Sequence, residues 1–476
     1  MNFTSMNDTS YIINNFVHLI KMSLKCGDSL LDVERELFKW LLKLGQYTLE
    51  KAMRSLLSDP DFVTQTHKKA KKITGPMRCK GSAQVHLTTI FGTIKVCTSH
   101  WVEKLTGRRG IKRRKRRQSG SGVYPILWMW GIYDRCTPAV QAEIARAMVI
   151  CSSCEEASDL LAARGIQLHP KSICRLSYSL GRRSLNSRTR RLSVPELASK
   201  EKDTLMDKRV VVAIDGGRYR ARIKTTVGRK TQKGRRGFST PWKEPKGFII
   251  YTLDSEGVPD RHFKPLCDFV TGNADVLAEL LIKYLRAYGV EKAKELVFLA
   301  DGAHWIWNRV TLIRRELKLD GIKVTEVLDF YHVAQHLAAL SKLPKSWSKR
   351  QSMIWQNKQL KALKSGCLMQ VQKAIKELKK YVSKYTQQKI SRELHYFSGN
   401  NEKRMRYFEF ISNQIQIGSG FIESAIRRVI NQRVKSNSIF WCPENAEFIM
   451  HMRAQLKTSR FEEMIRHATS TYARVI

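Results

Sequence analysis

The chain has 476 residues, a length that predicts two to four domains of about 150 residues each. Lysine and arginine total 85 against 42 for aspartate and glutamate, so the formal charge is +43, and 42% of the residues are hydrophobic. This composition excludes a wholly disordered chain, and the charge predicts a polyanionic partner, of which nucleic acid is the commonest.

Neither a membrane protein nor a disulfide scaffold is expected. The longest apolar stretch, which starts at Val123, is shorter than the ~18 residues that span a bilayer, and the first ten residues lack the pattern of a signal peptide. We therefore expect a soluble cytoplasmic protein without membrane contact. Ten cysteines are too sparse for a disulfide framework, and Cys151 and Cys154 form the one close pair. Since no second pair lies nearby, we favour a helix start there and expect no zinc.

Residues 1–120 predict helices, a hairpin and a basic run. Apolar residues recur on one face of a helix from Ser29 to Asp59, which is long enough to mediate a homodimer or a larger homo-oligomer. Alternation over 85–97 predicts a hairpin. Nine basic residues follow between 104 and 117. Such a run is usually a solvated segment, but in so basic a chain we expect it to contact DNA phosphates through Arg113, Arg114, Lys115, Arg116 and Arg117.

Residues 121–190 predict a helix-turn-helix. One helix begins near Glu155 and ends near Gly165, and a second begins at Lys171. In a DNA-binding helix-turn-helix the second helix enters the major groove, so Lys171 and Arg175 would contact DNA. Any helical hairpin has the same pattern, and that alternative stays open. Residues 184–207 look like a linker, of which 191–207 separates this region from the next.

From residue 208 the pattern changes to strands and helices. The order is three strands, a helix, a strand, a helix, a strand and a helix, which is the order of a ribonuclease-H-like fold. Core residues 208–342 are followed by a lysine-rich helical insertion at 343–417, and 418–476 complete the core. The predicted class is α/β: a ribonuclease-H-like mixed sheet with a helical insertion, preceded by a mainly helical N-terminal DNA-binding region. The predicted strands are 208–215, 245–253, 258–264, 295–301 and 324–329.

Three carboxylates fall where such a fold would bring them together. Asp215 ends the first strand, Asp301 ends the fourth, and Glu423 lies in the helix after the insertion. Phosphodiester cleavage benefits from two divalent cations about 4 Å apart, and Mg²⁺ prefers oxygen ligands. An aspartate at a strand end is usually a turn residue, but the joint placement of the three favours a catalytic, metal-binding site. We expect Mg²⁺ there, with Mn²⁺ as a possible substitute.

Arginines lie close to these carboxylates in the sequence. Arg218, Arg220 and Arg222 alternate, so on an extended strand they share one face, which could clamp the DNA backbone or protect an edge strand. Arg427 and Arg428 follow Glu423, and we expect them to contact DNA as well.

Four segments carry a resemblance to a known family. DGGRYRAR (215–222), ADGAHWIWN (300–308), LDFYHVAQHL (328–337) and GSGFIESAIRRVINQR (418–433) resemble the DDE transposases of bacterial insertion sequences, ISKra type, which are distantly related to Mutator-like and hAT-like enzymes. The resemblance is strong over 208–455 and weaker upstream. It implies that the acidic triad falls on Asp215, Asp301 and Glu423. A cysteine-based zinc knuckle, which related chains often carry after the N-terminal hairpin, is missing from this sequence.

The resemblance also implies an activity and an auxiliary pair. Asp329 and His332 match an element that lies near the active site in Mutator-like and hAT-like enzymes, although a packed core histidine is the alternative. The implied enzyme binds double-stranded DNA at transposon ends, cleaves it and joins it to target DNA, as a homo-oligomer on the bacterial nucleoid. Two alternatives remain: a domesticated DNA-binding protein, and a ribonuclease-H-like nuclease or resolvase without strand transfer. Trp305, Trp307 and Trp441 could stack on bases, but a core role is favoured.

Overall fold

The computed structural model describes residues 6–74, 77–103, 122–194, 201–225, 232, 234, 237–435 and 439–470. The chain forms two compact units, one of Met1–Arg183 with Ile465–Ile476 and one of Ser184–Met464. The basic run at 113–117 lies outside the described residues. Within the described ranges, every helix is too short or too polar to cross a membrane.

The first unit pairs a helical region with a small antiparallel sheet. Its strands are β1 (Met77–Thr89), β2 (Gly92–Glu103) and β3 (Gly122–Val123), in that order in the sheet. Its helices are α1 (Met6–Lys25), α2 (Leu30–Ser58), α3 (Pro60–Thr74), α4 (Pro125–Met129), α5 (Pro138–Ile150) and α6 (Cys154–Ala162).

Two predicted elements of this unit are confirmed. The Ser29 hydroxyl accepts the backbone N–H of Asp32 and begins α2, and Asp59 ends it. The hairpin is longer than predicted: eleven of the thirteen residues of β1 pair with β2, with a register shift between Cys79 and Ser82, and alternate side chains are buried in the half next to the turn. At the close cysteine pair, the Ser153 hydroxyl accepts the Glu156 N–H and starts α6, as predicted.

The predicted pair of helices around Gly165 is present, but the linker after it is wrong. Helix α7 runs without a break from Pro170 to Ser193, ten residues into the segment predicted as a linker. The polar sequence misled the prediction because its polar groups have partners inside the protein. Ser184 is buried, and Arg188 forms an ion pair at 2.7 Å with the buried Asp268. Within 201–207, Leu205 is buried as well.

The second unit is built on a five-stranded mixed sheet. Its strands are β4 (Arg209–Gly216), β9 (Lys246–Leu253), β10 (Leu266–Val270), β11 (Glu295–Ala300) and β12 (Lys323–Leu328), with short ribbon strands β5 (Tyr219–Arg220), β6 (Ile223–Lys224), β7 (Phe238–Ser239) and β8 (Trp242–Lys243) between β4 and β9. The order in the sheet is β10-β9-β4-β11-β12; β9 is antiparallel to both of its neighbours, and β4, β11 and β12 are parallel. The helices are α8 (Ala274–Ala287), α9 (His304–Glu316), α10 (Phe330–Ser341), α11 (Lys349–Lys364), α12 (Leu368–Glu377), α13 (Lys384–Tyr396), α14 (Tyr407–Ser412), α15 (Gly420–Ile426) and α16 (Pro443–Lys457). Helix α17 (Phe461–Thr469) begins in this unit and ends in the first.

The chain is therefore a mixed α/β protein with one mixed sheet. Strands β4 and β11 are continuous apolar runs because both of their faces are covered. The strand predicted at 258–264 is wrong, since β10 begins at Leu266. The Asp254 carboxylate accepts the N–H groups of Glu256 and Val258 instead, and this holds the segment in a turn.

The insertion is helical, as predicted, and it packs on the end of β12. The Tyr407 hydroxyl donates to the carbonyl of Leu328 at 3.0 Å, and the Arg404 guanidinium pairs with Glu326 at 2.7 Å. After the insertion, α15 continues into a single π-helical turn over Arg427–Asn431. One apolar face of this segment is buried: Ile422, Ile426, Val429 and Ile430.

Candidate active site

Two carboxylates emerge side by side at one edge of the sheet. Ile214 of β4 lies opposite Ala300 of the parallel β11, so Asp215 and Asp301 are the next residues on two neighbouring strands. The Asp215 Oδ1 accepts the Gly216 N–H at 2.6 Å. Asp301 is fixed on both sides: its Oδ1 accepts the Ala303 N–H at 2.9 Å, and its carbonyl accepts the indole N–H of Trp307 at 2.8 Å. These bonds also start α9 directly after the strand.

Glu423 reaches the same region from α15, where its side chain is exposed. The hydroxyl of Ser419 lies 3.1 Å from the Glu423 Oε1 and also contacts the carboxylate of Asp329. Asp329 is buried and caps α10 by accepting the Tyr331 N–H at 2.7 Å. The Ser419 hydroxyl thus connects the start of α10 to the start of α15, and this contact helps to position the Glu423 side chain.

The charges of this cluster act on Asp215. Burial is the main cause that raises its pKa to about 7, and the carboxylates of Asp301, Glu423 and Glu244 raise it further, while the bond from Gly216 N–H opposes the shift. Burial together with three negatively charged neighbours favours a retained proton on this carboxylate. Asp215, Asp301 and Glu423, predicted from the sequence, are therefore close enough to interact electrostatically.

Glu244 is a fourth carboxylate that sequence reasoning missed. It lies just before β9, and a Cβ at Gly216 would come within 2.6 Å of its Oε1. The Nζ of Lys246 lies 3.5 Å from the same carboxylate. Gly216 pairs with Lys246 across β4 and β9, and Glu244 lies two residues before Lys246. An acidic residue at that position is the sequence feature that could have identified Glu244.

The donor chemistry of the cluster suits a hard divalent cation, since carboxylate oxygens are the ligands that Mg²⁺ prefers. Asp215 and Asp301 offer theirs from rigid strand ends. Among the residues that the structure describes, no three His, Cys, Asp or Glu side chains are grouped closely enough to form a ready-made ion site. Burial is the main cause of the raised Asp215 pKa, and a cation would neutralise the smaller part that the neighbouring carboxylates add, so the donor chemistry of the cluster suits such an ion.

The helical insertion contributes Tyr396, a second residue that sequence reasoning missed. Its hydroxyl is buried, and no hydrogen-bond partner for it lies within the described part of the chain. Burial raises its pKa, and the charges of Asp301, Asp329 and Glu393 act in the same direction. The ring also packs against the backbone of Gly302, where any Cβ would collide with it.

The predicted auxiliary histidine, His332, lies on α10 beside the ring of His336. The His332 ring packs edge-on against His336, with 5.0 Å between the ring centroids. His336 stacks on Tyr396 at 4.0 Å, and its Nδ1 lies 2.7 Å from a carboxylate oxygen of Glu393. His332 is thus in a layer of aromatic rings that connects α10 with the insertion helix α13, while Asp329 is a helix cap in contact with Ser419.

The predicted DNA-contacting arginines of the second unit surround the exit of β4. Arg218, Arg220 and Arg222 are exposed, while Tyr219 and Ala221 between them are buried, so the expected alternation is present. Two further arginines lie in the π-helical turn after Glu423: Arg427, which is exposed, and Arg428, whose Nε donates to the Ser424 carbonyl.

The remaining predicted contacts belong to the first unit. Lys171 is exposed on the first turn of α7. Arg175 forms an ion pair with Asp134 at 2.9 Å, and that carboxylate also accepts the hydroxyl of Ser179. Arg175 is exposed, with one guanidinium nitrogen paired to a carboxylate of the protein.

Comparison with known proteins assigns no family to the chain. No family model matches it, and no curated protein is significantly similar to it. What points to a function is the carboxylate cluster itself, the order of the sheet around it and the exposed arginines beside it.

Proposed function

We propose that the chain is a DDE transposase, which binds the ends of a transposable DNA segment, cleaves them and transfers the strand ends to target DNA. The observation that carries the proposal is the position of Asp215 and Asp301 at the ends of neighbouring parallel strands, with Glu423 near enough for its charge to raise the Asp215 pKa. The order of three antiparallel strands followed by two parallel ones supports a ribonuclease-H-like fold for this unit.

Asp215 and Asp301 would hold Mg²⁺, with Glu423 completing the site. When bound, the cations would activate the attacking oxygen and stabilise the leaving oxygen of the phosphodiester. Other residues of the chain hold these carboxylates in position. Asp301 is fixed by bonds to Ala303 and Trp307, and the Ser419 hydroxyl orients Glu423. With a pKa of about 7, Asp215 loses its proton close to neutral pH, so ion binding at that pH is coupled to release of a proton.

The exposed arginines beside the cluster would hold the DNA backbone. Guanidinium groups pair with phosphates in two-point contacts. Arg218, Arg220 and Arg222 alternate with buried residues and therefore present their guanidinium groups at regular spacing. In this proposal the helix pair α6–α7 and the basic run at 113–117 bind the DNA ends, and the protein acts as a homo-oligomer so that two ends are processed together. The net charge of +43 is the basis for expecting the polyanion.

The test is a cleavage and joining assay in Mg²⁺ with DNA that carries the sequence flanking the gene. Wild type should cut and join this DNA. Asp301→Asn should bind it without cutting, because the neutral amide removes a metal ligand and little else. Asp320→Asn, which changes an exposed aspartate in a turn, is the matched control and should behave like wild type.

Three outcomes would contradict the proposal in different ways. Near-full cleavage by Asp301→Asn would refute the site. Cutting without joined products would indicate a nuclease or resolvase. Binding without cutting by wild type, in both Mg²⁺ and Mn²⁺, would indicate a DNA-binding protein that retains the scaffold.

A further inference from the structure

A narrow ribbon extends from the sheet edge that carries Asp215. Gly216 still pairs with Lys246, and the two chain segments then continue as short antiparallel pairs, β5 with β8 and β6 with β7. The backbone around Trp441 fastens the ribbon: the Arg222 N–H donates to the Trp441 carbonyl at 2.7 Å, and the Trp441 N–H donates to the Arg220 carbonyl at 3.1 Å. The ribbon is thus an ordered extension of the sheet rather than a free loop.

Aromatic rings and guanidinium groups share one surface of this ribbon. Trp242 is 56% exposed and Phe238 is 41% exposed. The Arg220 guanidinium lies 5.5 Å from the centroid of the Trp242 ring, and that of Arg222 lies 4.2 Å from the Phe238 ring. Phe440 extends the same surface, with its ring centroid 6.0 Å from that of Phe238. We call these five side chains the aromatic ribbon.

Exposed aromatic rings interleaved with arginines match one class of ligand in particular. Base–aromatic stacking combined with arginine contacts to the backbone is how proteins hold single-stranded nucleic acid. A protein partner would instead favour an interface centre from which charge is depleted. The formal charge of +43 favours the polyanion. We propose that the aromatic ribbon binds unpaired bases of a DNA strand, through stacking on Trp242 and Phe238 and phosphate contacts from Arg220 and Arg222.

The ribbon also indicates where those bases lie. Arg220, opposite Trp242, is five residues beyond Asp215, so at about 3.3 Å per residue the Cα atoms of Arg220 and Asp215 are at most ~17 Å apart along the strand. Stacked nucleotides rise about 3.4 Å each, so the unpaired bases lie within about five nucleotides of a phosphate bound at the cluster. The distance of the bases from the cluster rests on the proposed function, whereas the stacking of bases on the aromatic ribbon does not. Trp307 and Trp441 are only 5% and 6% exposed and offer no free ring face.

The experiment measures binding in EDTA, so that cleavage plays no part. Fluorescence anisotropy of the full chain compares a blunt labelled duplex with the same duplex carrying a five-nucleotide unpaired tail. Wild type should bind the tailed duplex more tightly, and Trp242→Ala should lose about fivefold to a hundredfold on the tailed duplex alone. Its salt dependence should not change, because no phosphate contact is removed, whereas Arg220→Ala should reduce the salt slope by about 1.

Two control variants accompany Trp242→Ala. Tyr385→Ala removes an aromatic ring that is also exposed, at 73%, and that also has a lysine above it, at 5.7 Å, so this variant should bind both duplexes like wild type. Trp242→Phe keeps a ring and should retain most of the preference for the tail. A 2-aminopurine base in the tail should be quenched by wild type and not by Trp242→Ala.

Several results would overturn the aromatic ribbon as a stacking surface: no preference of wild type for the tail, equal losses of Trp242→Ala on both duplexes, or no loss at all. The last result would assign the exposed rings to a protein partner instead. These outcomes are separate from the proposed function. Wild type that cuts and joins DNA without preferring the tail refutes only the ribbon, and wild type that prefers the tail but never cuts refutes only the transposase.

Discussion

Replacing Asp215 by asparagine should stabilise the protein at pH 8, although it removes a proposed metal ligand. The pKa of Asp215 rises from 3.8 to about 7, because the carboxylate is partly buried beside three other carboxylates. A rise of this size corresponds to about 4 kcal/mol between the two protonation states. Since the side chain is only partly buried, solvent screens part of the repulsion, and we expect Asp215→Asn to gain about 2 kcal/mol in unfolding free energy.

The sign of the pH dependence follows from linkage. The unfolded chain loses the Asp215 proton near pH 4, and the folded chain loses it near pH 7. The stabilising contribution of this group is therefore complete below pH 4 and is lost as the pH rises through 7. Asparagine mimics the protonated form at every pH. The variant should match wild type only below pH 4 and should exceed it by about 0.7 kcal/mol at pH 5. At pH 8 the difference should reach about 2 kcal/mol, which raises the Tm by roughly 4–8 °C.

The assay is thermal unfolding in EDTA at pH 5 and pH 8, with Asp268→Asn as the matched control. Asp268 lies in the same sheet but is fully buried, and it pairs with Arg188 at 2.7 Å. Its replacement leaves that guanidinium without a counter-charge and should cost about 3–5 kcal/mol. If Asp215→Asn is no more stable than wild type at pH 8, Asp215 is not held against repulsive neighbours and the electrostatic account of the site is refuted.

The same two proteins test the cation directly. Mg²⁺ should raise the Tm of wild type at pH 8, by an amount equivalent to about 2.7 kcal/mol when its concentration is one hundred times the Kd. The gain should be smaller in Asp215→Asn, because one ligand is missing. An equal gain in both proteins would place the bound ion elsewhere.

Two further substitutions probe the surroundings of the site, and a third change tests the basic run. Gly302→Ala should cost about 1–3 kcal/mol in stability and slow cleavage, because its Cβ collides with the Tyr396 ring; Gly321→Ala, with open space around it, should change neither by a measurable amount. Ser419→Ala should slow cleavage roughly tenfold with DNA binding unchanged, since it releases Glu423; equal rates would show that this hydroxyl does not position the glutamate. Alanine at residues 113–117 should lower the salt slope of DNA binding by up to about 4, and an unchanged slope would remove the run from the interface.

Local patterns predicted the strands that carry the site. The apolar runs that end at Asp215 and Asp301 are buried on both faces, so their composition alone identifies them as central strands. The third strand of the sheet was misplaced because Asp254 side-chain bonds, which shape the turn before it, are not visible in hydropathy. Helix α7 was cut short for a similar reason, since its polar residues have buried partners such as Asp268 that lie far away in the sequence.

The residues that sequence reasoning missed are those that depend on packing between distant segments. Tyr396 belongs to a lysine-rich insertion, and nothing in its neighbourhood predicts that its ring packs on Gly302 or that its hydroxyl is buried near Asp301. Glu244 becomes part of the cluster only through the register between β4 and β9. Periodicity identifies elements, but register and insertion docking decide which side chains meet.

Two aspartates in the same sheet show why the cluster at Asp215 indicates function. Asp268 is surrounded by compensating groups: Arg188, the Tyr284 hydroxyl at 3.0 Å and His451 at 3.1 Å, which together keep its pKa low in spite of complete burial. Asp215 has the opposite environment, because the charged neighbours that act on it are carboxylates and its pKa is raised. The fold can clearly neutralise a buried carboxylate where stability requires it. A buried carboxylate cluster kept at a strand end costs stability, and a bound cation would offset that cost, as the proposed phosphodiester chemistry requires.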